Sequence, residues 1–223
     1  IALTTPLLVL GSFNTAIPFS MYAFATLSLS AGLSAVLNAS IPLFGALIAF
    51  LWLGQRLHRT ATLGVVTGLL GVLVLAWPRL TGEADHTALL AAIAANAMYG
   101  WAPHFARRHL ADVPPLGVAT GTQIAAALLL LPVAIAQWPG VSPSSRSWTA
   151  ALLLAVACTA VAYVIYFRLI ARVGAQRALA VTYLIPVFGV IWGAIVLDER
   201  LPPSAFAGGV LVLAGVALTT RRT

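Results

Sequence analysis

The residues that could do chemistry in this sequence are polar side chains that interrupt long apolar stretches at helical spacing. Ser34, Asn38, Pro42 and Gly45 follow one another at intervals of four, four and three, which puts them in one stripe of a helix. Asn14, Pro18 and Tyr22 make a second stripe, and Thr159, Tyr163 and Tyr166 a third. A fourth runs through Ala178, Thr182, Pro186, Gly189 and Gly193. Asn96, Tyr99 and Pro103 share a face of another segment, with Trp101 and His104 on a different face. Amides, hydroxyls and aromatic rings in this pattern can orient a small organic solute within an apolar wall. Taken singly, each can equally serve as a hydrogen-bonding contact between packed helices. Taken together, the recurring stripes favour a shared cavity. Its expected solute contacts are Tyr22, Asn38, Asn96, Tyr99, Trp101, Tyr163, Tyr166 and Thr182.

Other chemistry finds little material. The acidic residues Glu83, Asp85, Asp112, Asp198 and Glu199 all fall in connections or at the ends of apolar stretches, so no buried carboxylate is available for a proton relay. His104 stands alone within a stretch and is expected to be structural. There is no HExxH zinc motif, no Lys for a Ser–Lys pair and no P-loop, so no catalytic residue, metal site or cofactor is expected. The single cysteine, Cys158, excludes an intramolecular disulfide and is expected to be a packing residue.

The elements that position these side chains must sit in lipid. Hydrophobic residues make up 61% of the 223 and charged residues 8%, and the mean hydropathy is +1.01. A soluble domain needs about a quarter of its residues charged. The expected fold is therefore an all-α polytopic membrane protein with a bilayer as its partner. Eight spans have roughly the 20 residues a bilayer demands, with approximate limits 3–27, 31–53, 60–78, 87–107, 116–138, 147–170, 176–197 and 202–220. Trp52, Trp77 and Trp138, near span ends, are expected as interface anchors.

The net charge of +7 does not indicate a nucleic-acid partner. All twelve basic residues are Arg, and they sit singly or in small groups between the spans. With the C-terminus in the cytoplasm, nine fall inside (Arg56, Arg59, Arg107, Arg108, Arg168, Arg172, Arg177, Arg221, Arg222) and three outside (Arg79, Arg146, Arg200). The positive-inside rule selects this orientation.

The chain also repeats itself at an offset of 144 residues. Ile41-Pro42-Leu43-Phe44-Gly45 matches Ile185-Pro186-Val187-Phe188-Gly189, and Leu53, Arg56 and Leu57 match Leu197, Arg200 and Leu201. Gly64 and Gly71 match Gly208 and Gly215, while Thr15, Ala16 and Tyr22 match Thr159, Ala160 and Tyr166. Matched spans lie five apart, an odd number, so each pair must cross the bilayer in opposite senses. This is the inverted-repeat geometry of many secondary transporters. The expected units are an incomplete first repeat over 1–80, with three spans, and a second over 81–223, with five. Residue 1 is Ile, and two further spans are expected before it, giving ten with both termini cytoplasmic. Pro42 and Pro186 are repeat mates. Each removes a ladder hydrogen bond, and the pair reads either as hinges or as static kinks. Gly64 and Gly68 permit close helix approach, within the chain or between chains.

The stretches Ile41 to Leu47 and Leu53-Gly54-Gln55-Arg56-Leu57 resemble the fourth helix of the EamA family, within the drug/metabolite transporter superfamily, and Gly64 to Val72 resembles the fifth. The pattern returns at Ile185-Pro186 through Leu197-Asp198-Glu199-Arg200-Leu201 and at Gly208 to Gly215. Gln55 departs from the family's usual Glu, which Glu199 retains. The resemblance implies a secondary transporter in the bacterial inner membrane. It would export amino acids or related metabolites, amino acids being the first expectation because the family includes exporters of aromatic amino acids, by alternating access around a central cavity. A channel or receptor, and less readily an intramembrane enzyme, are the competing classes. The sequence is compatible with a monomer.

Overall fold

The computed structural model describes residues 3–80, 86–173 and 184–220, and among these every regular element is a helix. In chain order they are α1 (Thr4–Gly11), α2 (Ile17–Ala25), α3 (Ala31–Asn38), α4 (Ile41–Leu53), α5 (Arg59–Leu80), α6 (His86–His109), α7 (Pro115–Ala136), α8 (Ser145–Ala155), α9 (Ala162–Val173), α10 (Leu184–Leu197) and α11 (Pro203–Thr220). Among the described residues, five continuous helical runs are long and apolar enough to cross a bilayer: Thr4–Ala25, Ala31–Leu53, Arg59–Trp77, Pro115–Ala136 and Pro203–Thr220. Apolar helices at Ser145–Val161 and Leu184–Leu197 are shorter. Large apolar side chains face outward, among them Leu51 at 70% exposure and Val210 at 66%. Water would penalise such a surface and lipid does not. The protein is an all-helical, polytopic membrane protein.

Two π-helical turns interrupt the spans. One, Ser12–Ala16, joins α1 to α2, and the other, Val156–Val161, joins α8 to α9. They start 144 residues apart. The same interval separates two left-handed residues, Gly54 (φ 62°) after α4 and Asp198 (φ 51°) after α10. Behind each, the chain closes identically, with Gln55 N–H donating to Ala49 O at 3.1 Å and Glu199 N–H to Gly193 O at 3.0 Å.

The second span is broken rather than bent. α3 stops at Asn38, the N–H of Ser40 turns back to Leu37 O at 2.9 Å, and α4 restarts with Pro42 in its first turn. Pro42 has no N–H to offer the Asn38 carbonyl, and its ring would collide with that carbonyl in an unbroken helix. Its fixed φ suits the first turn of the new helix.

Packing centres on α5 and α11, which run antiparallel in close contact. A Cβ on Gly64 would meet Gly215 O, and a Cβ on Gly71 would meet Gly208 O at 2.8 Å. Each glycine therefore touches the 144-residue mate of the other. Gly68 receives the Leu43 side chain of α4. The Gly64–Gly68 motif thus works within the chain. α6 packs against α2 on one side and α4 on the other, and α10 packs on α3. The main core joins Ala25, Leu33, Leu37, Leu43, Val72, Ala88, Leu89, Val212 and Val216. A smaller one joins Leu10, Ala102 and Leu110, with Trp101 and Phe105 against it. Cys158 corrects an expectation. It is exposed in the second π turn, so it packs into no core.

Candidate functional site

The break between α3 and α4 leaves backbone groups in the middle of the protein that must find partners. Asn96 of α6, completely buried, supplies them. Its Nδ2 donates to Leu37 O at 2.8 Å and to Ser40 Oγ at 3.2 Å. The Ser40 hydroxyl also donates to Leu37 O, at 2.7 Å. On the other side of the amide, the Tyr22 hydroxyl donates to Asn96 Oδ1 at 2.7 Å. One side chain thereby ties three spans into a polar knot.

Along α6 from this knot toward Arg107 lies a cavity of about 410 Å³. Its wall includes Asn38, Pro42 and Gly45 from the broken span, Tyr99, Gly100, Pro103 and His104 from α6, and Ile185, Val216 and Thr220 from α10 and α11. Gly100 is required here, because a Cβ would strike Gly45 N at 2.6 Å. Asn38 is half-buried, and its Oδ1 has no hydrogen-bond partner among the described residues. Tyr99 stacks on Tyr22, with centroids 6.4 Å apart. His104 Nε2 lies 2.9 Å from Gly45 O. A carbonyl can only accept, so Nε2 carries the proton, and Nδ1 accepts from Arg107 Nη2 at 3.5 Å. Apolar walls with a few fixed amides, hydroxyls and ring nitrogens suit a small organic solute.

The expected contacts divide. Asn38 and Tyr99 line the cavity. Tyr22 and Asn96 stand directly behind it, Asn96 with its bonds already made. Trp101 is turned away, packed on Phe13 (5.6 Å), Trp52 (5.9 Å) and Phe105 (4.7 Å). Trp52, expected as an interface anchor, belongs to that aromatic cluster too. Trp77 and Trp138 are exposed. His104 corrects the sequence reading, because it joins Tyr99 and Pro103 at the cavity instead of taking a separate face. Pro186 is buried in the first turn of α10. Thr182 and Ala178 lie outside the described residues, as do the side chains of Tyr163 and Tyr166. Thr159 donates to Leu154 O at 3.0 Å, and the described side chains of α8 and its π turn include none that is buried.

Known proteins agree with this architecture. A solved crystal structure superposes with a TM-score of 0.63 at 23% identity, over 96% of this chain and 75% of that one, which fixes the shared fold. A protein of Streptantibioticus cattleyicolor named "probable terminal-alkyne amino-acid exporter" is 31% identical over 86% of this chain. A "probable amino-acid metabolite efflux pump" of Escherichia coli is 26% identical over 95%. The chain spans 65% of the length of the first and 76% of the second. The EamA-like transporter family matches residues 3–77 and 86–221. With nearly the whole chain matched, this protein belongs to the EamA-like transporter family.

Proposed function

We propose that the protein is a secondary transporter that exports amino acids or related small metabolites across the bacterial inner membrane. The observation that carries this reading is the cavity at the α3–α4 break, built from residues of both halves of the chain and lined by Asn38, Tyr99 and His104. The names of the two relatives point to amino acids as the solute class.

The mechanism is alternating access between two inverted repeats, 1–80 and 81–223. Three features support it: the π turns at one interval, the left-handed helix ends at the same interval, and the reciprocal glycine contacts of α5 with α11. Such reciprocity is what a two-fold axis in the membrane plane produces. The orientation is the one the Arg distribution selects, with Arg107, Arg108 and the C-terminus in the cytoplasm. The cavity lies on the Arg107 side of the Asn96 knot, so this state opens toward the cytoplasm and is sealed toward the outside. Pro42 and Pro186 are the hinges, and Tyr22, Asn96, Tyr163, Tyr166 and Thr182 complete the solute path as it opens the other way.

Counterflow in lipid vesicles tests the reading with the full-length protein and a panel of labelled amino acids. Saturable exchange is expected, weakened by Asn38→Ala and Tyr99→Ala at unchanged folded yield. Flux that rises linearly without saturating would replace the transporter with a channel.

A further inference from the structure

The outer ends of the spans hold a contact that the transport reading leaves unused. Glu199 sits immediately after Asp198, whose left-handed backbone turns the chain back over the end of α10. Its carboxylate reaches the start of α3, far away in sequence. Oε1 accepts from Ala31 N–H at 2.7 Å and Oε2 from Gly32 N–H at 2.9 Å. Ser30 Oγ accepts from Leu33 N–H at 3.2 Å and completes the cap. Charge-assisted bonds of this kind, at the positive end of a helix, are the stronger class of hydrogen bond.

The surroundings are shaped to admit this carboxylate. A Cβ on Gly193 would lie 2.6 Å from Glu199 Oε2, and one on Gly32 would lie 3.1 Å from the Leu201 side chain. Below the clamp, the same two helices meet where Ala35 of α3 fills the space above Gly189 of α10. The carboxylate therefore fastens the top of an α3–α10 contact that closes the outer side of the protein.

At the other end of the molecule the equivalent position carries no carboxylate. The 144-residue mate of Glu199 is Gln55, which carries no charge and is exposed. The mate of Gly193 is Ala49, which carries the very methyl group that would displace a carboxylate. Backbone geometry is the same at both places, with equivalent left-handed residues and equivalent closing hydrogen bonds. At these two helix ends the difference lies in the side chains.

We propose that Glu199 is a carboxylate latch on the outer gate, with no carboxylate at the equivalent position of the other, and that it biases the resting protein toward the cytoplasm-open state. The proposal rests on the transport reading and on its orientation. Breaking the clamp frees α3 from α10 at the outer surface and uncovers the side chains one turn below. Ser34 is the natural reporter, being buried with a hydroxyl that has no partner among the described residues.

The test uses the full-length protein in lipid vesicles, with Cys158→Ala to remove the native thiol and Ser34→Cys as the probe site. A membrane-impermeant maleimide is applied from outside. Glu199→Gln removes the charge and Gly193→Ala places a methyl where Oε2 lies, so the two break one contact by different means. Each is expected to raise the labelling rate about tenfold, corresponding to about 1.4 kcal/mol of gate equilibrium. The double variant should rise no further than the stronger single one. Unchanged labelling in both variants, with native elution and parental counterflow, overturns the latch. A labelling increase in protein that exchanges no solute leaves the latch standing and removes the transport reading instead.

Discussion

A methyl group at Gly215 tests whether backbone contact sets the α5–α11 crossing. A Cβ there would lie 2.5 Å from Gly64 O and 2.5 Å from Gly68 Cα. Carbon and oxygen normally approach no closer than about 3.3 Å, so the helices must part by somewhat under an ångström. A gap of that size forfeits roughly a quarter to a half of each dispersion contact, at about 0.1–0.2 kcal/mol per atom pair. Over several tens of pairs the loss is about 1–3 kcal/mol, the usual cost of overpacking. Lipid returns little of it, since apolar burial does not drive helices together in a bilayer. Gly64→Ala should cost a similar amount, because its Cβ would meet Gly215 O at 2.5 Å and Thr219 N at 2.6 Å. One separation relieves both clashes, so the double variant should cost much less than the sum. Gly140, with no atom within 4 Å of a Cβ, is the neutral control. Reversible unfolding in mixed SDS–lipid micelles measures all four. A Gly215→Ala protein as stable as the parent, or single costs that add in full, would refute the reasoning.

Other substitutions separate the remaining roles. Asn96→Ala removes three hydrogen bonds at a buried site and should destabilise by about 2 kcal/mol in the same micelle assay, at an average of about 0.6 kcal/mol for each such bond in membrane proteins. Gly54→Ala forces a side chain into the left-handed region and should cost about 1 kcal/mol, whereas Asp198→Gly should be neutral or stabilising by less than about 1 kcal/mol; opposite signs at these two positions are the measurable outcome. Pro42→Ala lets α3 and α4 join. Counterflow should slow by about tenfold while the half-saturation concentration changes by less than about twofold, as expected when gating and binding separate; equal losses in both would make Pro42 a binding residue.

Much of the fold was legible because its strongest signals are local. The α3–α4 break falls at Pro42, the position the sequence marks for a lost ladder bond, although Pro103 and Pro132 lie within continuous helices; the glycines at helical spacing mark close helix approach, but not that α11 is what α5 meets. The lipid environment follows from composition. The site was legible less evenly, for a geometric reason. Helical spacing groups Asn96 with Tyr99 and Pro103 and sets His104 to one side. The cavity is instead centred near Gly100 and Pro103, and His104 borders it. Gly100 was the available signal, since a glycine beside polar residues marks where another backbone comes close. Trp101 was misleading because an aromatic ring within a span serves a packed cluster as well as a cavity, and only Phe13 and Trp52, remote in sequence, decide between them. Glu199 was legible as a loop acid and nothing more, because its partners lie 168 and 167 residues away.

The two central asparagines show why composition cannot assign a polar residue inside a membrane. Both lie in polar stripes, and both occupy the middle of the protein. Asn96 is engaged at both ends: its amide gives two hydrogen bonds, to the Leu37 carbonyl and the Ser40 hydroxyl, and accepts one from Tyr22. In a medium without water, releasing such a group to serve a solute means taking the acceptor from the Tyr22 hydroxyl at the same moment. Asn38, at the cavity wall, carries an acceptor with no partner among the described residues. A solute donor arriving there after a small rotation of the amide breaks nothing. Satisfaction, rather than polarity, separates the residue that ties the broken span to its neighbours from the residue that, in the proposed transporter, meets the solute.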